Sequence, residues 1–458
     1  MVRPFGRRRR RPPLRDSNHP LVDDAILFIL GSAGGYSVNL IGALPGGEVL
    51  AVLLLPILLL SRGRRAFNRQ YLWFYVLTLG WLLGTLIADQ YNGIGWFNQS
   101  KGIARVVFFF LDFVVLAILV NNETRKFIVL ALSMATVMLL SAAHFGDFMT
   151  AFKFGGSSAV IILSLLGSSY YYAKGRYGIC LGIGVALAVL NLGFAFRSQV
   201  AIILVSSVLI LPIGVGGGAR YGLPRDGRRS TLRVVFLLAF ACGCAYLANE
   251  AIKYAANLGF YEQSTQEKFQ TQSNGKYGVL FGGRPETLVA IRAIRDSPII
   301  GHGSFAADIR YVEMKQELQY EYGYSDSDVP EDVEYPVIPT HSHLTMAWVE
   351  SGILGGLLWI YIFGLTLRAL IRMTMTRPDL GPLYSYFLVN FLWDILYSPF
   401  GSVNRMLGAY FVLMSYHLLK TPVSSARLVG VRKPDVISLK RVARPRAAVT
   451  GLANGFRR

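Results

Sequence analysis

Hydrophobic and polar positions along this chain fall into long blocks, not into the short periods of a soluble amphipathic helix or strand. Stretches of about 20 apolar residues recur along its length, enough to cross a hydrocarbon core roughly 30 Å thick. Hydropathy predicts twelve spans, at 24–42, 44–60, 71–88, 104–120, 127–143, 155–172, 177–195, 198–214, 234–251, 343–363, 383–398 and 405–420. Gly34, Gly35, Pro45, Gly46 and Gly47 interrupt the first pair, which predicts a tight hairpin in place of one overlong helix. The predicted fold class is an all-α polytopic membrane protein.

Composition sharpens this picture. Of 458 residues 53% are hydrophobic and only 16% charged, against roughly a quarter charged in soluble domains. Soluble, disordered and disulfide-scaffold classes are excluded. Cys180, Cys242 and Cys244 all fall in apolar runs and read as small buried hydrophobes. Cys242 and Cys244 have no accompanying histidines for a zinc site.

The formal charge of +19 has a topological reading. Of the 46 Lys and Arg residues, 33 lie in alternate connections: the tail with Arg7 to Arg11, then Arg62 to Arg69, Arg125/Lys126, Lys174/Arg176, Arg220 to Arg233, Arg368 to Arg377, and the C-terminal tail. All fall on one side if twelve spans are counted, and a change of one span breaks the alternation. The positive-inside rule then places both ends in the cytoplasm. The predicted organisation is a basic cytoplasmic tail (1–20), nine spans (21–251), a large outer loop (252–342), three spans (343–420) and a second basic tail (421–458). Attraction to anionic lipid accounts for the tails; nucleic-acid binding and a cleaved signal peptide are not expected.

The loop of residues 252–342 differs from the rest in charge, with thirteen acidic and eight basic residues. Loops this long usually have structure or function of their own. Arg284 to Arg295 predicts a short helix with Pro285 in its first turn and Glu286 at the favourable end of the dipole. At 100° per residue Arg284 and Arg295 lie about 20° apart and Arg292 about 80° from Arg284. Pro298 ends the helix, and Gly301-His-Gly303-Ser304 reads as a turn. Arginines on an outer loop either clamp an anionic substrate through bidentate contacts or pair with carboxylates such as Glu286, Asp296 or Asp308.

His341 and His343 stand at the start of the tenth span. They read as a solvated interfacial pair, a weak metal site lacking a third ligand, or a base at a membrane-surface active site. Glu350, seven residues beyond His343, is a functional candidate because an acid inside a span is costly. Arg197 lies at an outer boundary with no neutralising neighbour in sequence, which points to a cavity or an anionic ligand. Asp394 and Arg405 flank the last hairpin and read equally as a structural ion pair.

Gly283-Arg284-x3-Leu288, Pro298-Ile-Ile-Gly301-x-Gly303 and His341-x10-Gly352, with Glu350 and Gly355, resemble the superfamily of O-antigen ligases and Wzy-type polymerases. Arg197-Ser198 is similar to that family's arginine at the outer end of a mid-chain helix. The motifs cover residues 194–356, and each alone is loose; their order and the loop length make the match specific. His343 stands where the family often has another polar residue, so the base is open between His341 and His343.

The resemblance implies a GT-C-like fold with a partly helical periplasmic loop in the bacterial inner membrane. It implies an inverting glycosyltransferase that moves an oligosaccharide from undecaprenyl diphosphate to an acceptor hydroxyl, without nucleotide sugars. Arg197, Arg284, Arg292 and Arg295 would bind the diphosphate, with Arg284 and His341 catalytic and His343, Glu350 and Gly352 supporting. No cofactor and no metal are expected, since the only outer Asp-x-Asp, Asp326-Ser-Asp328, reads as flexible loop. Implied partners are the lipid-linked glycan, membrane lipids, an acceptor glycan or lipid A-core, and a chain-length regulator or flippase of the same pathway. Tyr311, Tyr320, Tyr322, Tyr324 and Tyr335 on the acidic loop favour a polymerase of exopolysaccharide or O-antigen over a ligase to lipid A-core. A twelve-helix secondary transporter is the rival from another class. It would place a long connection at the middle and inside, unlike this loop.

Overall fold

A computed structural model describes residues 20–39, 42–143, 146–194, 196–211, 284–321 and 336–421, with isolated positions between 235 and 259. Most of the ninth predicted span, Cys242, Cys244, Asp326, Asp328, Tyr322, Tyr324, Tyr335, and both tails except Pro20 and Thr421 lie outside the described residues.

The described chain is mostly helical. In order it forms α1 (Pro20–Ala33), a ribbon of β1 (Ser37–Asn39) and β2 (Ala43–Pro45), α2 (Gly46–Arg62), α3 (Leu72–Tyr91), α4 (Trp96–Val120) and α5 (Thr124–Ala142). Then come α6 (Phe148–Ala151), α7 (Ser157–Ala173), α8 (Tyr177–Gly193) and α9 (Arg197–Leu209). The loop region supplies α10 (Glu286–Asp296) and α11 (Ile309–Glu321), and the chain closes with α12 (His343–Thr376), α13 (Gly381–Tyr397) and α14 (Ser402–Lys420).

Among the described residues, five helical segments are long and apolar enough to cross a membrane by length and composition: Gly46–Arg65, Arg69–Tyr91, Trp96–Val120, Thr124–Ala142 and His343–Thr376. The fold is that of an all-α membrane protein. Val114 to Val120 of α4 and Gly408 to Leu418 of α14 are buried without interruption; a helix stretch apolar all round is stable only when surrounded. Trp81, Phe109, Trp359 and Phe400 form an aromatic core, with Phe109 and Trp359 stacked at 5.7 Å. Cys180 is buried, its thiol 3.4 Å from the Ser168 carbonyl.

Several elements depart from the hydropathy pattern: α4 starts at Trp96, eight residues before the predicted span, and α9 ends at Leu209. The segment predicted as a span at 24–42 is a helix only to Ala33. Beyond Gly34 and Gly35 the chain turns into the antiparallel ribbon, Ser37 opposite Pro45. The segment predicted at 343–363 continues as helix to Thr376, past Arg368 and Arg372, and is bent at Gly352. Long basic side chains reach polar surroundings from a helix that hydropathy alone ends early.

A satellite core ties the loop helices to the bundle. Val289, Ala290 and Ala293 of α10 pack with Tyr311 of α11, Ile338 and Val349 of α12.

Candidate functional site

Arg284 precedes α10 and does not belong to it, because Pro285 is the N-cap. The helical-wheel relation between Arg284 and Arg295 therefore does not apply. The Arg284 guanidinium lies 5.5 Å from the Trp393 ring and 5.7 Å from the Tyr397 ring. These rings sit one turn apart on α13, tilted against each other at 4.7 Å. Its Nη1 is buried and has no hydrogen-bond partner among the described residues. A buried donor left unmade costs about 1–3 kcal/mol. Burial weakens the hold of Arg284 on its proton, while Glu286, Tyr397 and Asp394 act in the opposite sense.

His341 enters the same electrostatic neighbourhood. It is half-buried, and burial lowers its pKa from the ordinary 6.5; Glu286 opposes this, and Arg284 and Lys315 reinforce it. Lys315 of α11 pairs with Glu286 at 3.1 Å. Ser342 anchors the backbone next door. Its hydroxyl accepts from Thr345 N at 3.0 Å, capping α12, and donates to the Ile395 carbonyl at 2.9 Å.

His343 is built differently. It is 2% exposed, and its Nδ1 donates to the Ser398 carbonyl at 2.7 Å. Its ring packs on Trp359 at 4.9 Å and Phe400 at 5.0 Å. The two histidines thus differ in setting: His343 is a wall of the aromatic core, and His341 shares its field with Arg284.

Arg197 is half-buried and opens α9. Two residues on, Gln199 Oε1 accepts from the Tyr386 hydroxyl at 2.9 Å, and its Nε2 is 3.5 Å from Asn390 Oδ1. Asn390 donates to Asp394 at 2.7 Å, and Ser398 donates to the other Asp394 oxygen at 2.7 Å. Hydrogen bonds thus run from the first turn of α9 to Asp394, whose carboxylate acts electrostatically on Arg284. Sequence reasoning passes over Gln199, Asn390, Trp393, Tyr397 and Lys315. Gln199 and Asn390 carry a signal, as amides within apolar runs; Trp393 and Tyr397 do not differ from core aromatics.

Other candidates lie elsewhere. Arg292 and Arg295 are exposed on α10, and Arg292 pairs with Asp296 at 3.2 Å. Among the described residues no hydrogen bond or ion pair joins either to Arg284 or His341. Glu350 forms an ion pair with Arg105 of α4. Arg405 does not pair with Asp394; both its Nε and Nη2 donate to Glu48 of α2, each at 2.6 Å. That pairing joins residues 357 apart in sequence, beyond the reach of a neighbour-based reading. No three His, Cys, Asp or Glu side chains cluster among the described residues.

Gly352 fixes the site's frame. Its φ of 62° and ψ of −155° break the helical ladder of α12. The carbonyls of Val349 and Glu350 accept instead from His302 N at 2.7 Å and Gly303 N at 3.0 Å, and Ile353 N donates to the Ile299 carbonyl at 3.1 Å. Asp89 of α3 adds a clamp, accepting from Ser304 N at 2.6 Å and Ser304 Oγ at 3.0 Å. The segment after α10 is thus stitched to α12, the helix that His341 precedes. Chemically, the arrangement offers a guanidinium donor without a partner among the described residues, in the field of an imidazole whose neutral form burial favours.

No protein-family model matches the chain, and no curated protein matches it in sequence.

Proposed function

We propose that this chain is a GT-C-like membrane glycosyltransferase of the bacterial inner membrane that transfers a glycan from undecaprenyl diphosphate to an acceptor hydroxyl. The reading includes twelve spans, both termini in the cytoplasm and residues 252–342 as a periplasmic loop. One observation carries it: Arg284, whose buried Nη1 has no hydrogen-bond partner among the described residues, and a half-buried His341 share one electrostatic field. The resemblance of residues 194–356 to the ligase and polymerase superfamily points the same way.

In this reading the acceptor oxygen attacks the anomeric carbon and its proton passes to His341. The bond from that carbon to the diphosphate oxygen breaks, and the carbon inverts. The negative charge that builds on the leaving diphosphate is met by Arg284, whose open donor needs no reorganisation to receive it. Arg197, two residues before Gln199 at the start of α9, is the second cation proposed for the diphosphate. The product proposed is a surface polysaccharide, polymerised on the carrier lipid. A ligase to lipid A-core would use the same residues, and the test separates the two.

Purified protein in liposomes is given undecaprenyl-diphosphate-linked repeat units as sole substrate. A ladder of longer lipid-linked glycans is the expected result. Units that stay single until lipid A-core is added would make the chain a ligase. Arg284→Ala and His341→Ala should each abolish transfer at normal expression, and normal product from either removes that residue from the site.

A further inference from the structure

A second cation stands apart from the glycosyl-transfer site. Lys101 lies on α4 one turn before Arg105, and the two differ in their partners. Arg105 is paired with Glu350. Lys101 has no acidic partner among the described residues; its ammonium instead lies 4.3 Å from the centre of the Phe97 ring and 5.3 Å from that of Phe305.

Three separate elements build this cradle. Phe97 is one turn earlier on α4. Phe305 comes from the segment after α10 and is held at a φ of +51°, a left-handed conformation rare for a phenylalanine. Its position is fixed by the Asp89 clamp on Ser304 and by the Arg105 guanidinium 4.5 Å from its ring. The third element is Gly42, at the turn of the β ribbon: a Cβ there would touch the lysine stem at 3.8 Å. The lysine is thereby held in place with no carboxylate to answer its charge among the described residues.

The surroundings indicate what answers it. Trp96 is 73% exposed, Tyr91 72% and Tyr36 62%. Exposed Trp and Tyr at helix ends mark the head-group level of a bilayer. A fixed ammonium at that level, framed by ring faces, suits the phosphate of a lipid head group. We propose that Lys101, cradled by Phe97, Phe305 and the turn at Gly42, is a binding site for a phosphate-ester anion, supplied by a phospholipid head group of the surrounding bilayer. This inference does not depend on the glycosyltransferase reading.

The test is native mass spectrometry of full-length protein in detergent, with phosphatidylglycerol, with neutral diacylglycerol or with inorganic phosphate as the probe. Wild type should retain one phosphatidylglycerol more than Lys101→Met, whose occupancy should be about fivefold lower, as one cation near a membrane surface implies. Lys101→Arg should restore binding, and diacylglycerol should not distinguish the variants. Lys174→Met, in the turn between α7 and α8, serves as the control and should bind like wild type. Displacement of the lipid by excess inorganic phosphate would show that the site also fills from solution, with the same phosphate chemistry. Equal phosphatidylglycerol retention by wild type and Lys101→Met, or an equal loss in Lys174→Met, overturns the proposal. Should Lys101→Met not fold, Phe97→Leu replaces it: retention below wild type supports the site, and retention equal to wild type overturns it.

Discussion

Replacing Gly352 with alanine should detach the loop helices from the bundle without unfolding the bundle. The φ of 62° and ψ of −155° belong to a region essentially restricted to glycine, and an L residue there costs about 1–3 kcal/mol. A Cβ would also lie 1.9 Å from the Ile299 carbonyl oxygen and 2.6 Å from the Ile300 carbonyl carbon. Both contacts are with backbone, so no rotamer change relieves them. The alternative conformation is near at hand: α12 straightens, which alanine favours over glycine by about 1 kcal/mol. The stitches from His302, Gly303 and Ile353 are then lost. At about 1 kcal/mol net each they amount to about 3 kcal/mol, or about a 10²-fold change in the docking equilibrium. Hydrogen exchange of peptides covering 297–305 and 349–353 measures this directly. In Gly352→Ala their protection should fall about 10²-fold while that of α4 is unchanged. If the proposed function holds, glycosyl transfer should fall at least as far, since Arg284 and His341 lose a shared frame. Native protection of residues 297–305 in the variant would refute the reasoning. So would an equal loss throughout α4, which would mean global destabilisation.

Three further outcomes follow from the same geometry. If neutral His341 accepts the acceptor proton, the acid limb of the transfer profile lies below pH 6.5, because burial lowers its pKa. Glu286→Gln removes the opposing charge and should move that limb lower still; a limb above pH 6.5 in wild type would exclude His341 as the base. Arg405→Met leaves Glu48 buried without its partner and should destabilise by about 3–5 kcal/mol, read as a lowered melting temperature. Glu48→Leu combined with Arg405→Met should recover most of that loss. Arg292→Ala removes only an exposed pair with Asp296, and should change stability by less than about 1 kcal/mol and leave transfer near wild type. A large loss of transfer would place Arg292 on the substrate.

The class of this protein is legible from its residues alone, because the cost of leaving backbone polar groups unpaired in hydrocarbon forces long apolar helices that composition cannot hide. So is the helix over residues 286–296, which stops short of Pro298, since capping and proline sterics act within a few residues of chain. Arg284 and His341 stand out in the same way, as a charge and a titratable group placed where topology does not require them. Three-dimensional packing decides the rest. Whether His341 or His343 shares the electrostatic field of Arg284 depends on which imidazole the Trp359–Phe400 core encloses, and those residues are distant in sequence. Whether Arg405 answers Asp394 or Glu48 is settled by the packing of α2 and α14 on α4, as is the matching of Glu350 to Arg105 by the placing of α12 near α4. The bend at Gly352 looks, in sequence, like any glycine in an apolar helix; only the Ile299 carbonyl against its α-carbon shows why a side chain has no room there. Local forces act through the chain and can be read from it, whereas a contact between residues hundreds of positions apart exists only once the helices have packed.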